Sequence, residues 1–300
     1  MNKVKYTLIG HPLGHSMSPW IHERLFRLAA HNGEYSLTDI APEDLDASVN
    51  NLKQFRGFNV TIPYKTAIIP HLSDMSDDAK LYQSVNTVFV NGEGKMSGTN
   101  TDCAGFRLSV GEIPAGSKVL LIGCGGVGRM MATECILNGA ELTIVERDLE
   151  RAHALAKELE TSDFIRKWHE QHSKENPEQR YRPIRVLGEA PEEEFDLLMN
   201  ATPVGMYPKT DACPVSDAVI ARSKRVFDVI YNPTETQLIR KAKALGMEAI
   251  GGSAMLVWQA AAAQSYWNNT RFDRDDVWGL VGEMEQEVNR LFPIREGSAE

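Results

Sequence analysis

Val119-Leu120-Leu121-Ile122-Gly123-Cys124-Gly125-Gly126-Val127-Gly128-Arg129 is the stretch on which the fold turns. Four apolar residues, suited to a strand buried on both faces, run straight into G-x-G-x-x-G, and a helical pattern follows over about 127–138. Gly123 permits the tight turn, Gly125 lets a pyrophosphate approach the backbone, and Gly128 allows close helix–strand packing. The helix start supplies unpaired N–H groups and the positive dipole end for phosphates. A lone glycine motif of this kind is also compatible with a plain glycine-rich turn. The next strand supports the stronger reading. Leu142-Thr143-Ile144-Val145 ends in Glu146, 23 residues after Gly123, where an acid accepts hydrogen bonds from the adenosine ribose. That carboxylate favours NAD because it repels a 2′-phosphate. Arg147 pulls the other way, since a guanidinium clamps phosphate.

Outward from this motif the strand–helix rhythm repeats. Short apolar runs at 119–122, 142–145, 184–186, 196–199, 226–230 and 248–250 alternate with helical stretches near 127–138, 149–160, 215–222 and 235–245. This predicts a doubly wound, Rossmann-type parallel sheet. Residues 161–183 are polar and too long for a simple connection, so a surface insertion, partly helical, is expected there. Two further helices, over 254–267 and from about 275, have no strand partners and are assigned to the first half. The expected architecture is therefore α/β with two domains. One comprises residues 1–105 plus 252–300, and the other residues 106–251.

The composition sets limits. With 32 Lys plus Arg against 41 Asp plus Glu, the net charge is −9, which makes nucleic acid and anionic membranes poor partners. The N-terminus has no apolar signal core and no apolar run approaches a membrane span, so a soluble, cytoplasmic protein is expected. None of the 4 cysteines forms a C-x-x-C pair, so neither zinc nor a redox dithiol is signalled. His11, His15, His22 and His31 lack ligand pairing, and no metal is expected. His15 reads as a structural hydrogen-bonding residue.

The first half carries strands near 6–9, 35–40 and 57–61, and Asn91-Gly92-Glu93-Gly94 as a hairpin turn. Three polar motifs stand among them: His15-Ser16-Met17-Ser18-Pro19, Gly57-Phe58-Asn59-Val60-Thr61-Ile62-Pro63-Tyr64-Lys65, and Ser84-Val85-Asn86-Thr87 followed by Gly98-Thr99-Asn100-Thr101-Asp102. Hydroxyls and amides suit a polyhydroxylic ligand bearing a carboxylate, and Lys65 suits charge or proton transfer. Blander readings stand beside these. Ser18 is a good helix N-cap, Asn86 and Asn100 are common turn residues, and Lys65 with Asp102 fits a surface pair.

The three motifs, in this order and ahead of a nucleotide loop, resemble the shikimate dehydrogenase family, which includes the quinate/shikimate dehydrogenases. The resemblance continues through Asn200-Ala201-Thr202-Pro203-Val204-Gly205-Met206, Asp228-Val229-Ile230-Tyr231-Asn232-Pro233 and Gly251-Gly252-Ser253-Ala254-Met255-Leu256-Val257-Trp258-Gln259. It implies Lys65 and Asp102 as the catalytic pair. It implies Ser16, Ser18, Asn59, Thr61, Asn86, Tyr231 and Gln259 as substrate contacts. It implies Gly123, Gly125, Gly126, Val127, Gly128, Arg129, Glu146, Arg147, Thr202, Met206, Val229 and Gly252 as the cofactor surface. Glu146-Arg147-Asp148 departs from the Asn-Arg-Thr of NADP-using members.

The implied reaction is reversible NAD(P)-dependent reduction of 3-dehydroshikimate to shikimate in aromatic amino-acid biosynthesis, by a monomer or homodimer. The enzymatic alternative is NAD-dependent quinate/shikimate oxidation. A non-catalytic sensor of shikimate or dinucleotide is the remaining alternative, and Lys65 with Asp102 argues against it, because a sensor needs no proton-transfer pair.

Overall fold

The computed structural model describes residues 3–14 and 16–293. The chain forms two compact units, Met1–Gly105 with Leu256–Gly282, and Phe106–Met255 with Glu283–Glu300.

The first unit is built on β1 (Val4–Gly10), β2 (Gly33–Asp39), β3 (Gly57–Val60), β4 (Asp74–Met75), β5 (Thr87–Val90) and β6 (Met96–Thr99). They form one mixed sheet in the order β2-β1-β3-β5-β6-β4. β2, β1 and β3 run parallel, so helices must cross over between them: α1 (Ser18–Leu28) and α2 (Leu45–Leu52) do so. α3 (Tyr64–Ala67) and α4 (Asp77–Tyr82) follow β3 and β4, and α5 (Asp102–Val110) leaves the end of β6. β5 is antiparallel to both β3 and β6, as the hairpin at 91–94 requires. Alternate residues of β1 serve opposite faces: Ile9 packs with Phe58, Val60 and Val88, while Tyr6 packs with Phe26 and Trp267.

The second unit contains β7 (Lys118–Ile122), α6 (Gly126–Leu137), β8 (Glu141–Val145), α7 (Leu149–Glu160), α8 (Asp163–His172), β9 (Arg185–Leu187), β10 (Phe195–Asn200), α9 (Asp217–Ala221), β11 (Ser223–Asp228), α10 (Gln237–Ala244) and β12 (Glu248–Ile250). The sheet order is β12-β11-β10-β7-β8-β9 with every pair parallel. That is the doubly wound Rossmann order, with its switch point between β7 and β10. Leu120, Leu198, Val226, Leu238 and Ile239 form its core.

Two more helices follow, α11 (Gly252–Asn268) and α12 (Arg274–Leu291). Here the division departs from the sequence expectation, which assigns the whole C-terminal stretch to the first half. α12 is shared, and from Glu283 on it belongs to the second unit. The reason is local packing: Thr234 Oγ1 donates to Asn289 Oδ1 at 2.8 Å, and Tyr207 packs on Phe292.

The polar insertion is α8 with its flanks. Trp168 Nε1 and Gln179 Nε2 both donate to Leu137 O, at 3.1 and 3.0 Å, and Arg182 reaches Gly139 O. The insertion thus gives two donors to the last carbonyl of α6 and adds a third contact at Gly139 O, which also accepts the Gly116 N–H.

Candidate active site

In the first unit, sheet register gathers the polar groups. Asn59 on β3 stands opposite Thr87 on β5, which stands opposite Thr99 on β6. β3 runs almost directly into α3, which carries Lys65, and β6 runs into α5, which begins at Asp102. Lys65 Nζ lies 2.6 Å from Asp102 Oδ2, with the side chains 27% and 16% exposed. Asn86 Nδ2 donates to the other carboxylate oxygen, Asp102 Oδ1, at 2.8 Å.

Asn86 is itself fixed. Its Oδ1 accepts the Thr101 N–H at 2.7 Å and the hydroxyls of Thr87 and Thr101, each at 3.1 Å. Asn59 Nδ2 donates to Asn86 O at 3.1 Å and to Thr87 Oγ1 at 2.9 Å, and its Oδ1 accepts from Tyr35 OH at 2.7 Å. Asn100 is the capping residue among them, its Oδ1 accepting the N–H of Asp102 at 3.0 Å at the start of α5. An ammonium held on a carboxylate, at a partly dehydrated surface ringed by amides and hydroxyls, is equipped to pass a proton to a bound oxygen.

The remaining residues named for substrate are placed as follows. Ser18 is the first residue of α1 rather than its cap. Met17 stands at the cap position with no side-chain bond, and one residue earlier Ser16 Oγ accepts the Ser18 N–H at 3.2 Å. Thr61 is half-buried just past β3. Gln259 is buried on α11 and donates to Leu256 O at 2.9 Å. Tyr231 is half-buried in the second unit. His15 lies outside the described residues.

The second unit has the shape a dinucleotide needs. A cavity of about 600 Å³ opens at the carboxyl ends of β7, β8 and β10, lined by Gly123, Gly125, Glu146, Arg147, Arg151 and Thr202 among others. Gly123 sits at φ +90°, where L side chains are strained, and a Cβ there would lie 2.5 Å from Thr202 Cγ2. A Cβ on Gly128 would lie 2.3 Å from Gly123 O, so only glycine lets α6 approach this closely. Around Gly125 and Gly126 a Cβ would meet nothing within 4 Å, which leaves the backbone N–H groups open to a phosphate. These residues fit a dinucleotide.

The cavity corner at Glu146 is strongly polar. The carboxylate accepts from Arg151 Nη2 at 2.7 Å, from Arg147 N at 2.9 Å and from Cys124 N at 3.2 Å. Burial works against its ionisation, but the N–H groups of Cys124 and Asp148 and the Arg151 guanidinium prevail and hold it at about 2. Arg151 is not among the residues the motifs single out. Its one signal in the sequence is a second arginine in the first turn of the helix after Glu146.

Thr202 is fixed from below. Its N–H and hydroxyl donate to Asn200 Oδ1 at 3.0 and 2.7 Å, and Asn200 Nδ2 donates to Asp228 Oδ1 at 3.0 Å. Asp228 is wholly buried and also accepts from Thr236 Oγ1 and the Ile230 N–H. Burial pushes its carboxyl up to about 6 despite these donors.

Other residues named for the cofactor do not line this cavity: Gly126, Val127, Gly128, Arg129, Met206, Val229 and Gly252. Arg129 is turned to Glu158 on α7, which it grips through both terminal nitrogens. Met206 is 46% exposed. A Cβ on Gly252 would fall 2.0 Å from Val229 O, so that glycine serves close backbone approach at the start of α11. Among the described residues, no group of three His, Cys, Asp or Glu is placed to hold a metal ion.

Comparison with known proteins gives a consistent picture. Residues 8–88 match the family model of the shikimate dehydrogenase substrate binding domain, and residues 119–252 match that of the saccharopine dehydrogenase NADP binding domain. The chain is 37% identical over 286 residues to a shikimate dehydrogenase (NADP(+)) of Caldanaerobacter subterraneus subsp. tengcongensis, covering 93% of this chain and 97% of that one. Among solved structures it is similar to a chorismate mutase/shikimate 5-dehydrogenase fusion protein from Clostridium acetobutylicum. There the TM-score is 0.82 and the identity 31%, over 97% of this chain and 100% of the other. It is also similar to shikimate 5-dehydrogenase from Thermus thermophilus in complex with NADP(H) and shikimate. In that case the TM-score is 0.77 and the identity 30%, over 93% and 99% of the two chains.

Proposed function

The chain belongs to the shikimate dehydrogenase family, and from that premise we propose that it interconverts 3-dehydroshikimate and shikimate, with Lys65 and Asp102 as its proton-transfer pair. The observation that carries the assignment of roles is the 2.6 Å contact between Lys65 Nζ and Asp102 Oδ2, inside an amide and hydroxyl network. When bound, a nicotinamide dinucleotide supplies the hydride. Lys65 Nζ gives a proton to the ketone oxygen in reduction and takes it from the hydroxyl in oxidation. Asp102 Oδ2 orients Lys65, and Asn86 holds the carboxylate in place. Ser16, Ser18, Asn59, Thr61, Asn86, Tyr231 and Gln259 serve the substrate hydroxyls and carboxylate, some by contact and some by holding a neighbour. The first unit is the substrate-binding and catalytic domain and the second the NAD(P)-binding domain.

Cofactor choice is set at the corner of Glu146, Arg147 and Arg151. The Caldanaerobacter relative is a shikimate dehydrogenase (NADP(+)), and the Thermus enzyme was solved with NADP(H) bound. Here an ionised carboxylate stands at the end of β8 and occupies Arg151. A 2′-phosphate there meets like charge, while ribose hydroxyls meet an acceptor, which supports a preference for NAD. Arg147, exposed and adjacent, moderates the preference. None of the relatives named above is described as a quinate dehydrogenase, and nothing in the site favours quinate. All four cysteines are free thiols, which supports a reducing, cytoplasmic setting; among the described residues no helix is long and apolar enough to cross a membrane. Steady-state assays with shikimate and quinate, each with NAD and NADP, test both substrate and cofactor. Shikimate oxidation with either dinucleotide supports the reading, and its absence with both overturns it.

A further inference from the structure

Ala201, Thr202, Pro203 and Val204 form one wall of the dinucleotide cavity, and that wall hangs from a single side chain. Asn200, at the end of β10, is wholly buried. Its Oδ1 accepts the Thr202 N–H at 3.0 Å and the Thr202 hydroxyl at 2.7 Å. Its Nδ2 donates to Val204 O at 3.4 Å. The Thr202 hydroxyl oxygen accepts the Val204 N–H at 3.2 Å, so the loop closes on itself above the amide. Both edges of the amide therefore shape the wall. Asn200 does not choose by itself which edge faces which way, because the two ends of a carboxamide have nearly the same shape.

Asp228 makes that choice. It lies on the neighbouring strand, β11, in register with Asn200. Its Oδ1 accepts Asn200 Nδ2 at 3.0 Å and the Ile230 N–H at 3.1 Å, and its Oδ2 accepts the Thr236 hydroxyl at 2.7 Å. The last two donors hold the carboxylate, one from the backbone after β11 and one from the cap of α10. An Asn200 amide turned over would set its oxygen against the carboxylate and against Val204 O. Its NH₂ group would then face the Thr202 N–H. A buried carboxylate costs stability that an apolar side chain would not. What it contributes here is orientation: an ionised carboxylate only accepts, so it admits one turn of the neighbouring amide.

We propose that Asp228 is a positioning residue for the dinucleotide: it fixes the turn of Asn200, which holds Thr202 and Val204 in the shape that receives the cofactor. Neither Asn200 nor Asp228 lines the cavity, so both act through the loop. The inference rests on the reading of this cavity as a dinucleotide site for its binding consequence but not for its structural content. Every member of the network lies in the second unit. Glu146, Arg147 and Arg151 take no part in it, so the choice between NAD and NADP is left as it was.

The test is affinity for NADH and for NADPH, titrated by fluorescence, alongside thermal unfolding and NMR of the Asn200 side-chain amide. Asp228→Leu should weaken both dinucleotides about tenfold or more, the scale of one hydrogen bond to a charged group. Their ratio should be unchanged, and KM for shikimate at saturating dinucleotide should stay near the wild-type value. Asp228→Asn should recover most of the loss. Its Oδ1 accepts from Asn200 and Ile230, while its NH₂ group meets the Thr236 oxygen, which as a hydroxyl accepts as well as donates. Thr236→Val should lower stability, because it removes the α10 cap and the bond to Oδ2, yet leave both affinities in place, because Asn200 meets Oδ1. The Asn200 amide protons should exchange slowly in wild type and shift in Asp228→Leu. A merely structural role would make affinity follow stability across all three variants. If Asp228→Leu does not fold, Asp228→Ser, whose hydroxyl stops one bond short of the Asn200 amide, carries the same comparison. The proposal is overturned by unchanged affinity in the folded Leu or Ser variant, by equal weakening in Asp228→Asn or Thr236→Val, or by rapidly exchanging Asn200 amide protons in wild type. A wild-type protein that binds neither dinucleotide defeats the reading of the cavity instead. In that case the Asn200 amide signals still decide this one.

Discussion

Replacing Asp102 with asparagine preserves shape and removes charge, and the surrounding hydrogen bonds make its effect calculable. Asp102 Oδ2 faces Lys65 Nζ at 2.6 Å and Oδ1 faces Asn86 Nδ2 at 2.8 Å, so both oxygens meet donors. An asparagine has only one oxygen. Whichever way its amide turns, an NH₂ group must face either the Lys65 ammonium or the Asn86 amide. Asn86 cannot turn to relieve the clash, because its own oxygen already accepts from Thr101 N, Thr101 Oγ1 and Thr87 Oγ1. The loss of one charge-assisted hydrogen bond costs about 1.5–3 kcal/mol. Misplacement of a general acid adds to it, within the roughly 10²–10⁴-fold that such groups supply. We therefore expect Asp102→Asn to lower kcat/KM for shikimate by about 10²–10³-fold, or roughly 3–4 kcal/mol of transition-state stabilisation. The assay is shikimate-dependent reduction of the dinucleotide, with thermal unfolding measured in parallel. The fold should persist, since the Asn100 cap on α5 accepts from the backbone N–H of residue 102, not from its side chain. A folded variant with unchanged kcat/KM would refute the reasoning and make Asp102 a structural residue.

Three further outcomes are expected. Lys65→Ala should lower kcat by roughly 10²–10⁴-fold with a much smaller change in KM; near-normal turnover in steady-state assays would remove Lys65 from proton transfer. Glu146→Asn, with Arg147 and Arg151 in place, should shift the NAD-to-NADP ratio of kcat/KM toward NADP by about tenfold or more; an unchanged ratio assigns cofactor choice to the arginines. Asp228 titrates at about 6 in the fold against an ordinary value of 3.8, so the folded state binds the extra proton between them and stability falls as pH rises through that window. The gap between those two values corresponds to a loss of about 3 kcal/mol. Denaturant unfolding of wild type and Asp228→Asn at pH 4 and pH 7 should show wild type losing ground to the variant at the higher pH, and a constant difference would show that Asp228 does not titrate there.

The Rossmann half was legible because its strands are buried on both faces, so each is a short apolar run whose ends are marked by glycines or charges. The helix expected over 149–160 is Leu149–Glu160, and the strand expected over 119–122 is Lys118–Ile122. What escaped depends on contacts distant in sequence. β4 has two residues and exists only because β6 pairs with it. Arg129, which the resemblance places on the cofactor surface, is held by Glu158, 29 residues away, a contact with no local sequence signal. Ser18 has the composition of a cap, yet the helix begins at Ser18 itself, with Met17 at the cap position and Ser16 Oγ accepting the Ser18 N–H. The polar insertion hid its purpose because two of its donors serve a single carbonyl, Leu137 O, at the end of another helix. Within the polar network around Lys65 the motifs named Asn59, Asn86 and Asp102, while Tyr35, which donates to Asn59, sits in a stretch whose local pattern shows only a strand.

The central claim is that the Lys65–Asp102 pair serves oxidation of one particular ring alcohol. It is tested most directly by kcat/KM for shikimate and for quinate, each measured with NAD and with NADP on the intact wild-type chain. The expected result is robust dinucleotide reduction with shikimate, slower reduction with quinate, and faster reduction of NAD than of NADP. Absence of shikimate-dependent reduction with both dinucleotides, in a protein that unfolds cooperatively and retains its secondary structure, would contradict it.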